Sequence, residues 1–347
     1  MKAIYFLIAI AIVTIFFMVD LFSPFLKSLS VAALLTIATS SQTSYFEKKL
    51  KSRILGSTLM TIIMAGLFFL PLLYCIFAFA NFFNELNQQE LIKHINQIKA
   101  WTQGGIPDDF AILKELLQDI FARINVAQSV QDVLSLGAFL GKNSLKFMTD
   151  MFFILIFFFF FTLYSRNIEI FLKGVLPIKR EDSKVLLGES SSVMTVVLYS
   201  ILVTAIFEGF LFGFFLTFYN YDGLLFGVLY GFASLIPVVG GIIMWLPLAI
   251  YEGMTGSITT AIIIAVYSII MISIVADTFI KPMIIKYINQ NLVKTKTKVN
   301  ELLIFFSIIA GLATFGFWGM IIGPAMVTFF ISIMQLIRKY SDEFNED

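Results

Sequence analysis

Glu208 is the residue whose type and position most strongly indicate chemistry. It lies inside an otherwise uncharged run, Val193–Phe218, which exceeds the roughly 18 residues needed to span a bilayer. A carboxylate at membrane depth costs about 2.5–3.5 kcal/mol on insertion scales, so its default interpretation is functional. Such a group could gain and lose a proton or a cation. The alternative is structural: Glu208 would only hydrogen-bond a tyrosine or an amide of a broken helix.

Three more residues join Glu208 in the predicted site. Asp277 ends another apolar run four residues before Lys281, so it is either a site residue or half of a structural i,i+4 ion pair. Tyr199 precedes Glu208 by nine residues, about two and a half helical turns, and would lie close to the same helix face. Tyr267 occupies the matching position in a second, similar segment.

No enzymatic or metal-binding pattern accompanies these residues. The sequence has one cysteine and one histidine, Cys75 and His94, which argues against a zinc or iron site and against an intramolecular disulfide. Ser190–Ser192 has no histidine partner, and neither a nucleophile-elbow motif nor a phosphate-binding Walker motif is present. We therefore predict a non-enzyme with no cofactor, not powered by its own ATP hydrolysis.

The composition indicates an all-α polytopic membrane protein. Hydrophobic residues make up 59% of the 347 residues and charged residues only 14%. A membrane-spanning helix satisfies all of its backbone hydrogen bonds within its own segment. A net charge of +1 gives no sign of a nucleic-acid partner, so membrane lipid is the expected surrounding. About six full spans are predicted, at residues 3–19, 25–38, 54–83, 147–164, 193–218 and 259–280.

Gly223–Gly253 is apolar except for Glu252, which we interpret as an interfacial cap, and is broken by proline and glycine. A broken helix cannot face lipid, so the break must be buried in protein or line a water-filled cavity. We predict a re-entrant helical hairpin with its turn at Pro237–Gly241. The residues expected to shape it are Pro237, Gly240, Gly241 and Pro247.

Leu302–Ile337 looks similar. A continuous helix of this length would measure about 54 Å, against a hydrocarbon core of roughly 30 Å. It therefore predicts a second re-entrant hairpin, the alternative being a pair of ordinary kinked helices. Its predicted turn residues are Gly316, Gly319 and Pro324.

The basic residues are consistent with both hairpins. If neither hairpin crosses the membrane, the five lysines between Lys281 and Lys298 and both chain termini fall on the cytoplasmic side, as the positive-inside rule requires. The polar stretch 84–146, a small helical insert, then lies outside, where it could pack on the membrane domain, lie in the interface or pair with another subunit of a homo-oligomer. The predicted segments are 1–83, 84–146, 147–192, a transport core at 193–340, and a polar tail at 341–347.

The predicted transport core contains two similar segments, which indicate an internal repeat. Val197–Ile201 resembles Ala265–Ile269, and an acidic residue follows each segment at a nearly matching distance. Each unit would be one span followed by one hairpin, entering from opposite sides, which is the inverted repeat of many secondary transporters with a site near the midplane.

The motifs resemble those of the AI-2E (autoinducer-2 exporter) family of bacterial membrane proteins over nearly the whole chain. The resemblance rests on Ile236–Gly240 with Pro247, on Asp277 with Lys281-Pro282, and on Phe315–Met320 leading to Pro324. It implies a secondary transporter of the bacterial inner membrane that exports a small polar solute or signalling molecule, coupled to protons or sodium. Sodium or lithium/proton antiport is the alternative within this class. A channel and a non-transporting scaffold are the alternatives outside it.

Overall fold

The computed structural model describes residues 2–85, 126–175, 180–236, 240–254, 257–291 and 301–346. Every regular element in these ranges is a helix, which confirms the all-α prediction. Most of the predicted 84–146 insert lies outside the described residues. The elements in order are α1 (Lys2–Phe22), α2 (Leu26–Ala38), α3 (Ser40–Leu50), α4 (Arg53–Glu85), α5 (Val126–Val175), α6 (Arg180–Thr217), α7 (Gly223–Ala233), α8 (Gly240–Met254), α9 (Ile258–Tyr267), a π-helix (Ser268–Ile280), α10 (Lys281–Asn291), α11 (Glu301–Phe315), a 3₁₀ turn (Gly316–Trp318) and α12 (Gly319–Glu346).

Five stretches of the described chain are long and apolar enough to cross a bilayer. They are Arg53–Ala78, Leu145–Phe171, Ser191–Thr217, Ile258–Ile288 and Leu302–Ser341. The first two helices differ from the prediction of two separate spans: α1 and α2 meet at 98° and together count as at most one more. Pro24 lies at this bend, where its missing N–H interrupts the helix, and the 13 residues of α2 reach only about 20 Å.

The chain forms two compact units. Unit 1 comprises residues 1–67, 149–200 and 286–347, and unit 2 comprises residues 68–148 and 201–285. The functional segments suggested by the sequence stay a prediction.

In unit 1, α11 and α12 form an antiparallel helical hairpin. A Cβ atom built at Gly319 would lie 1.8 Å from the carbonyl oxygen of Gly311, and one at Gly323 would lie 2.0 Å from that of Ser307. Because these pairs run in opposite directions along the chain, the two backbones touch where side chains are smallest. The reversal occurs at Gly316, whose φ of +67° is left-handed and favours glycine.

A second glycine contact joins α6 and α7 in unit 2. A Cβ atom at Gly213 would lie 2.2 Å from the carbonyl oxygen of Gly223, and one at Gly209 would lie 2.4 Å from that of Gly227. These glycines recur every fourth residue on both helices, so they present one bare stripe to each other. The sequence analysis did not anticipate that α7 packs so closely on the preceding span.

The helices α7 and α8 also pack against each other at the predicted first hairpin. A Cβ atom at Gly240, the first residue of α8, would lie 1.8 Å from the carbonyl oxygen of Ala233, the last residue of α7. The two helices have 11 and 15 residues, or about 16 and 22 Å, so each is shorter than a hydrocarbon core of roughly 30 Å. In turn, α8 packs along α9.

The core of unit 2 lies where these helices meet. Its fully buried members include Phe212 and Leu216 from α6, Tyr230 from α7, and Ile264 and Ile272 from α9 and the π-helix. The rings of Phe212 and Tyr230 have centroids 4.5 Å apart. This core fixes the face of α6 that carries Glu208.

Candidate functional site

Three charged residues of unit 2 come together around Glu208. The Glu208 side chain is buried, with 4% of its surface exposed, and its Oε1 atom lies 3.9 Å from Nζ of Lys281. Lys281 Nζ lies 2.9 Å from Asp277 Oδ1 and donates a hydrogen bond to it. Asp277 and Lys281 are about 40% exposed, so the cluster extends from a buried carboxyl group to an accessible ion pair.

Glu208 is the least satisfied member of this cluster. Its Oε1 atom is buried and accepts no hydrogen bond in the described part of the chain, because 3.9 Å to Lys281 is beyond hydrogen-bond distance. The carboxyl of Asp277 and the hydroxyl of Ser234 also lie beside the Glu208 carboxyl. Two carboxylates and one ammonium carry a net charge of −1, which one proton or one monovalent cation would neutralise.

The π-helix places Asp277 and Lys281 at the site. It runs directly into α10, and the backbone N–H of Lys281 donates to the carbonyl oxygen of Ala276, five residues earlier. Pro282 follows and has no N–H to donate. Helical segments with this wide bonding pattern are frequent at functional sites. The predicted i,i+4 ion pair is confirmed, but it also contacts Glu208, so the two alternatives weighed for Asp277 are not exclusive.

Two buried hydroxyl groups add to the polar character of this region. Thr204 lies one turn before Glu208 on α6, on the same face, and its Oγ1 atom has no hydrogen-bond partner among the described residues. Ser268 begins the π-helix, is fully buried, and leaves its Oγ atom equally unpartnered. Buried polar atoms are usually satisfied, but the described part of unit 1 also contains unpartnered buried oxygens, on Gln42, Thr43, Ser57 and Ser200. The charge cluster, rather than the number of such atoms, therefore distinguishes this region.

The two predicted tyrosines lie away from this cluster. Tyr267 stacks on Phe215 with ring centroids 3.8 Å apart, and its hydroxyl donates to the carbonyl oxygen of Leu211 at 3.0 Å. These contacts give Tyr267 a packing role between α9 and α6. Tyr199 is partly buried on α6 and belongs to unit 1. A role in coupling for either tyrosine stays a prediction.

The predicted turn residues fall into three groups. Gly240 and Gly241 begin α8, and Gly316 and Gly319 bound the turn between α11 and α12. At Gly241 a Cβ atom would lie 2.6 Å from the hydroxyl of Tyr230. Two prolines assigned to turns lie inside helices instead, Pro247 in α8 and Pro324 in α12, whereas Pro237 is outside the described residues.

A second polar group closes the other end of α7. Asp222 caps this helix by accepting a hydrogen bond from the backbone N–H of Leu225 at 3.0 Å, and it accepts another from the hydroxyl of Tyr74 at 2.9 Å. The bond from Leu225 is the main reason why the pKa of Asp222 is lowered. The neighbouring Tyr221 donates to Glu252, the predicted interfacial cap, and burial followed by this bond raises the pKa of Tyr221.

Two features of the site region escaped the sequence analysis. Lys281 was assigned to a cytoplasmic loop by its charge, and its nearness to Glu208 had no signal in the sequence. The glycine stripe did have one, since four-residue spacing occurs within each helix, at Gly209 and Gly213 on α6 and at Gly223, Gly227 and Gly231 on α7.

Comparison with known proteins places the chain among transporters. The model of the AI-2E family transporter matches residues 4–339. A protein of Helicobacter pylori (strain J99 / ATCC 700824), named "Putative transport protein", is 35% identical over 343 residues, which cover 98% of this chain and 97% of the relative. A protein of Aquifex aeolicus (strain VF5) with the same name is 24% identical over 85% of each chain.

The match extends over nearly the whole length, including the apolar stretches and the cluster around Glu208. It agrees with the resemblance carried by the proline and glycine motifs. The chain is an integral membrane protein that belongs to the AI-2E transporter family.

Proposed function

We propose that this protein is a secondary transporter of a small polar solute and that Glu208 binds the proton or cation that drives it. The observation that carries the proposal is the buried Glu208 carboxyl, whose Oε1 atom has no hydrogen-bond partner among the described residues and lies 3.9 Å from Lys281. A buried polar atom without a partner is costly. An arriving proton or cation would supply the missing interaction.

Lys281 is a second cation that could pair with the Glu208 carboxylate, in competition with the proton or cation being bound. When Glu208 is neutral, the ammonium of Lys281 stays hydrogen-bonded to Asp277 at 2.9 Å. With Glu208 charged, attraction across 3.9 Å is on the order of 4 kcal/mol at an effective dielectric constant of 20, before screening by water reduces it. Lys281 is therefore shared between two carboxylates, and loading Glu208 changes which of them it prefers.

This sharing couples ion binding to the helices that carry the charges. Glu208 is on α6, whereas Asp277 and Lys281 follow each other on the π-helix and α10. A change in the pairing of Lys281 would favour one arrangement of these elements over another, which is how a ligand selects between two conformations. The short helices α7 and α8, with 11 and 15 residues, would suit the re-entrant hairpin of the proposed repeat.

The identity of the ion defines the principal alternatives. Two carboxylates beside each other could hold Na⁺ or Li⁺ through oxygen atoms and release it when a proton takes its place, which would make the protein a sodium or lithium/proton antiporter. A fixed pore lined by the same polar atoms would make it a channel. We favour the transporter because Lys281 already occupies the accessible side of the cluster.

The proposed setting is the bacterial inner membrane, with both termini in the cytoplasm. The support is the distribution of basic residues, which favours the cytoplasmic side for the segments around Lys48 and Lys286.

Flux measurements in proteoliposomes test the proposal. Purified protein is reconstituted, an inward proton or sodium gradient is imposed, and uptake of a panel of small polar solutes and of Na⁺ and Li⁺ is recorded against empty liposomes. We expect uptake that saturates with concentration and collapses when the gradient is dissipated. Uptake that rises linearly and ignores the gradient would indicate a channel, and no uptake of any solute or ion would indicate a scaffold.

A further inference from the structure

Unit 1 contains a polar cavity that the proposed transport chemistry does not use. One wall is a polar face of α3 together with the residue after it, at helical spacing: Ser40, Thr43, Ser44, Glu47, Lys48 and Lys51. The opposite wall is a face of α5 with the same spacing: Thr162, Ser165, Arg166 and Glu169. Residues three and four apart share a helix face, so two continuous polar faces, one on α3 and one on α5, oppose each other across the cavity.

The space between these stripes is large enough for a ligand. The cavity has a volume of about 550 Å³, within the range of roughly 300–1,000 Å³ that small-molecule sites occupy. Apart from Leu163, its lining residues carry hydroxyl groups or charges, in contrast to the apolar residues of the predicted spans.

Positive charge dominates the cavity. Four cations line it, namely Lys48, Lys51, Arg53 and Arg166, against two carboxylates, Glu47 and Glu169. Glu169 is paired with Lys173. Across the described ranges, none of the four cations forms an ion pair with a carboxylate. All four side chains are exposed, so the cavity offers several unpaired cations that an anionic ligand could bind.

Buried hydroxyl groups form the floor. Thr43 is only 4% exposed, lines the cavity, and leaves its Oγ1 atom without a hydrogen-bond partner in the described structure. Beside it, Thr36 and Thr162 are buried with their Oγ1 atoms 3.5 Å apart. A buried hydroxyl without a partner is uncommon, and Thr43 could donate to an acceptor in the cavity.

The turn between α3 and α4 holds two of the cations in place. Lys51 adopts the left-handed conformation, with φ of 51° and ψ of 24°, which is unfavourable for any residue with a Cβ atom. Ser52 accepts a hydrogen bond from Leu55 N–H at 3.4 Å, and α4 then begins at Arg53. The first turn of α4 lies close against α3, since a Cβ atom at Gly56 would be 2.9 Å from the Cα of Glu47. The positive end of the α4 dipole adds to the field at this turn.

We propose that this cavity binds a phosphate-bearing anion, with the phosphate group held by the lysine and arginine side chains and by the hydroxyl of Thr43. Arginine and lysine at a helix N-terminus with hydroxyl donors are the usual recognition elements for phosphate. The same chemistry could come from two sources, the headgroup of an anionic phospholipid or a soluble phosphate compound.

Ligand binding to the purified full-length protein tests the proposal. The lipid arm measures retention of phosphatidylglycerol by native mass spectrometry, with a diacylglycerol of the same acyl chains as the phosphate-free control. The soluble arm measures the rise in unfolding temperature with inorganic phosphate against chloride at equal ionic strength. The variant is Lys48→Gln with Arg166→Gln, and the control is Lys49→Gln, whose cation lies over the Tyr45 ring and does not line the cavity.

We expect one of the two probes, phosphatidylglycerol or inorganic phosphate, to bind, and to bind to wild-type protein and to Lys49→Gln with equal affinity. The double variant should bind it at least about tenfold more weakly, as the loss of charge-assisted hydrogen bonds requires. Retention of phosphatidylglycerol alone identifies a lipid headgroup, and an effect of inorganic phosphate identifies a soluble source. Thr43→Val, which removes one donor without changing charge, should weaken binding several-fold and serves if the double variant does not fold.

Two results would overturn the proposal. One is equal retention of phosphatidylglycerol and diacylglycerol together with no effect of phosphate. The other is an equal loss of binding in Lys49→Gln and in the cavity variants, which would mean that surface charge alone attracts the anion.

Discussion

The contact between α11 and α12 predicts a large effect for the smallest possible side chain. In Gly319→Ala the new Cβ atom would lie 1.8 Å from the carbonyl oxygen of Gly311, whereas real Cβ atoms essentially never approach closer than 3.0 Å. The obstacle is backbone, so no rotamer change relieves it. The two helices must separate by at least about 1.2 Å at their point of closest packing.

This separation costs stability over the whole hairpin. Overpacking in a well-packed core typically costs about 1–3 kcal/mol, and here the displaced contacts include those of Trp318 and Met320, both almost fully buried. The expected destabilisation is therefore about 2–3 kcal/mol. Thermal unfolding of the detergent-solubilised protein, followed by intrinsic tryptophan fluorescence, measures it.

Two glycines of the same chain serve as controls. The new Cβ atom of Gly174→Ala meets nothing within 4 Å among the described residues, and alanine is the better residue inside a helix, so the unfolding temperature of this variant should equal or exceed that of wild type. Gly316→Ala also meets nothing, but its φ of +67° makes a Cβ atom cost about 1–2 kcal/mol. If Gly319→Ala were as stable as Gly174→Ala, the close helix contact would be wrong.

Three more predictions address other parts of the chain. Asp222→Ala should reduce stability by about 1 kcal/mol through loss of the α7 cap, whereas Asp222→Asn should retain the cap. Because the folded-state pKa of Asp222 is lowered, the charged carboxylate stabilises the fold above the ordinary carboxyl pKa. This stabilisation disappears as the pH falls through the lowered pKa, which unfolding curves at pH 7 and in acid would show. Asp182→Ala should reduce stability in thermal unfolding by about 2 kcal/mol or more, since the buried Asp182 carboxylate accepts hydrogen bonds at 2.7 Å from Lys339 and 2.6 Å from Tyr340. As the control, Lys173→Ala removes an exposed ion pair and should have little effect on stability. Cysteines placed at Asn96 and Asn291 in a Cys75→Ser background should react oppositely with an impermeant reagent on intact cells, Asn96 labelled and Asn291 protected; equal labelling would contradict the paired re-entrant hairpins.

The helices themselves were predictable because their signals are local. Apolar runs of sufficient length, and the prolines and glycines that interrupt them, depend only on neighbouring residues, so α9 and α11 lie within the predicted apolar segments, apart from the first residue of each helix. The ends were less predictable: α6 begins at Arg180, before the predicted span at 193–218, and α12 continues to Glu346, past the predicted end at Ile337. The bend between α1 and α2 was the exception. Both segments are apolar, and hydropathy carries no information about the angle at which two helices meet.

The side-chain contacts at the site were only partly predictable. Glu208 was identifiable because a carboxylate in an apolar run is costly. Its neighbour Lys281 was not, since the distance between them depends on which faces of α6 and α10 pack together. For Tyr267, similarity to the Tyr199 segment suggested a shared role, which stays a prediction, and the stacking of its ring on Phe215 had no signal in the sequence.

The glycine pattern had a second meaning that single-sequence reasoning overlooked. Each glycine was treated as a break in a helix, which is correct for Gly316. Several others lie inside continuous helices and allow two backbones to touch, as at Gly213 and Gly323. Likewise, Lys48 and its neighbours were treated as a cytoplasmic loop, although their spacing is that of one helix face.

The pH dependence of transport by Glu208→Gln tests the central claim most directly. Glutamine keeps the shape of the side chain and removes its titration. Asp20→Asn is the control, because Asp20 is a carboxylate on an apolar helix but is exposed. In proteoliposomes with an imposed proton gradient, we predict that wild type and Asp20→Asn accumulate substrate with the same pH profile. Glu208→Gln should not accumulate substrate, and any residual flux should be independent of pH. Gradient-driven accumulation by Glu208→Gln with the wild-type pH profile would show that Glu208 is structural and would contradict the account.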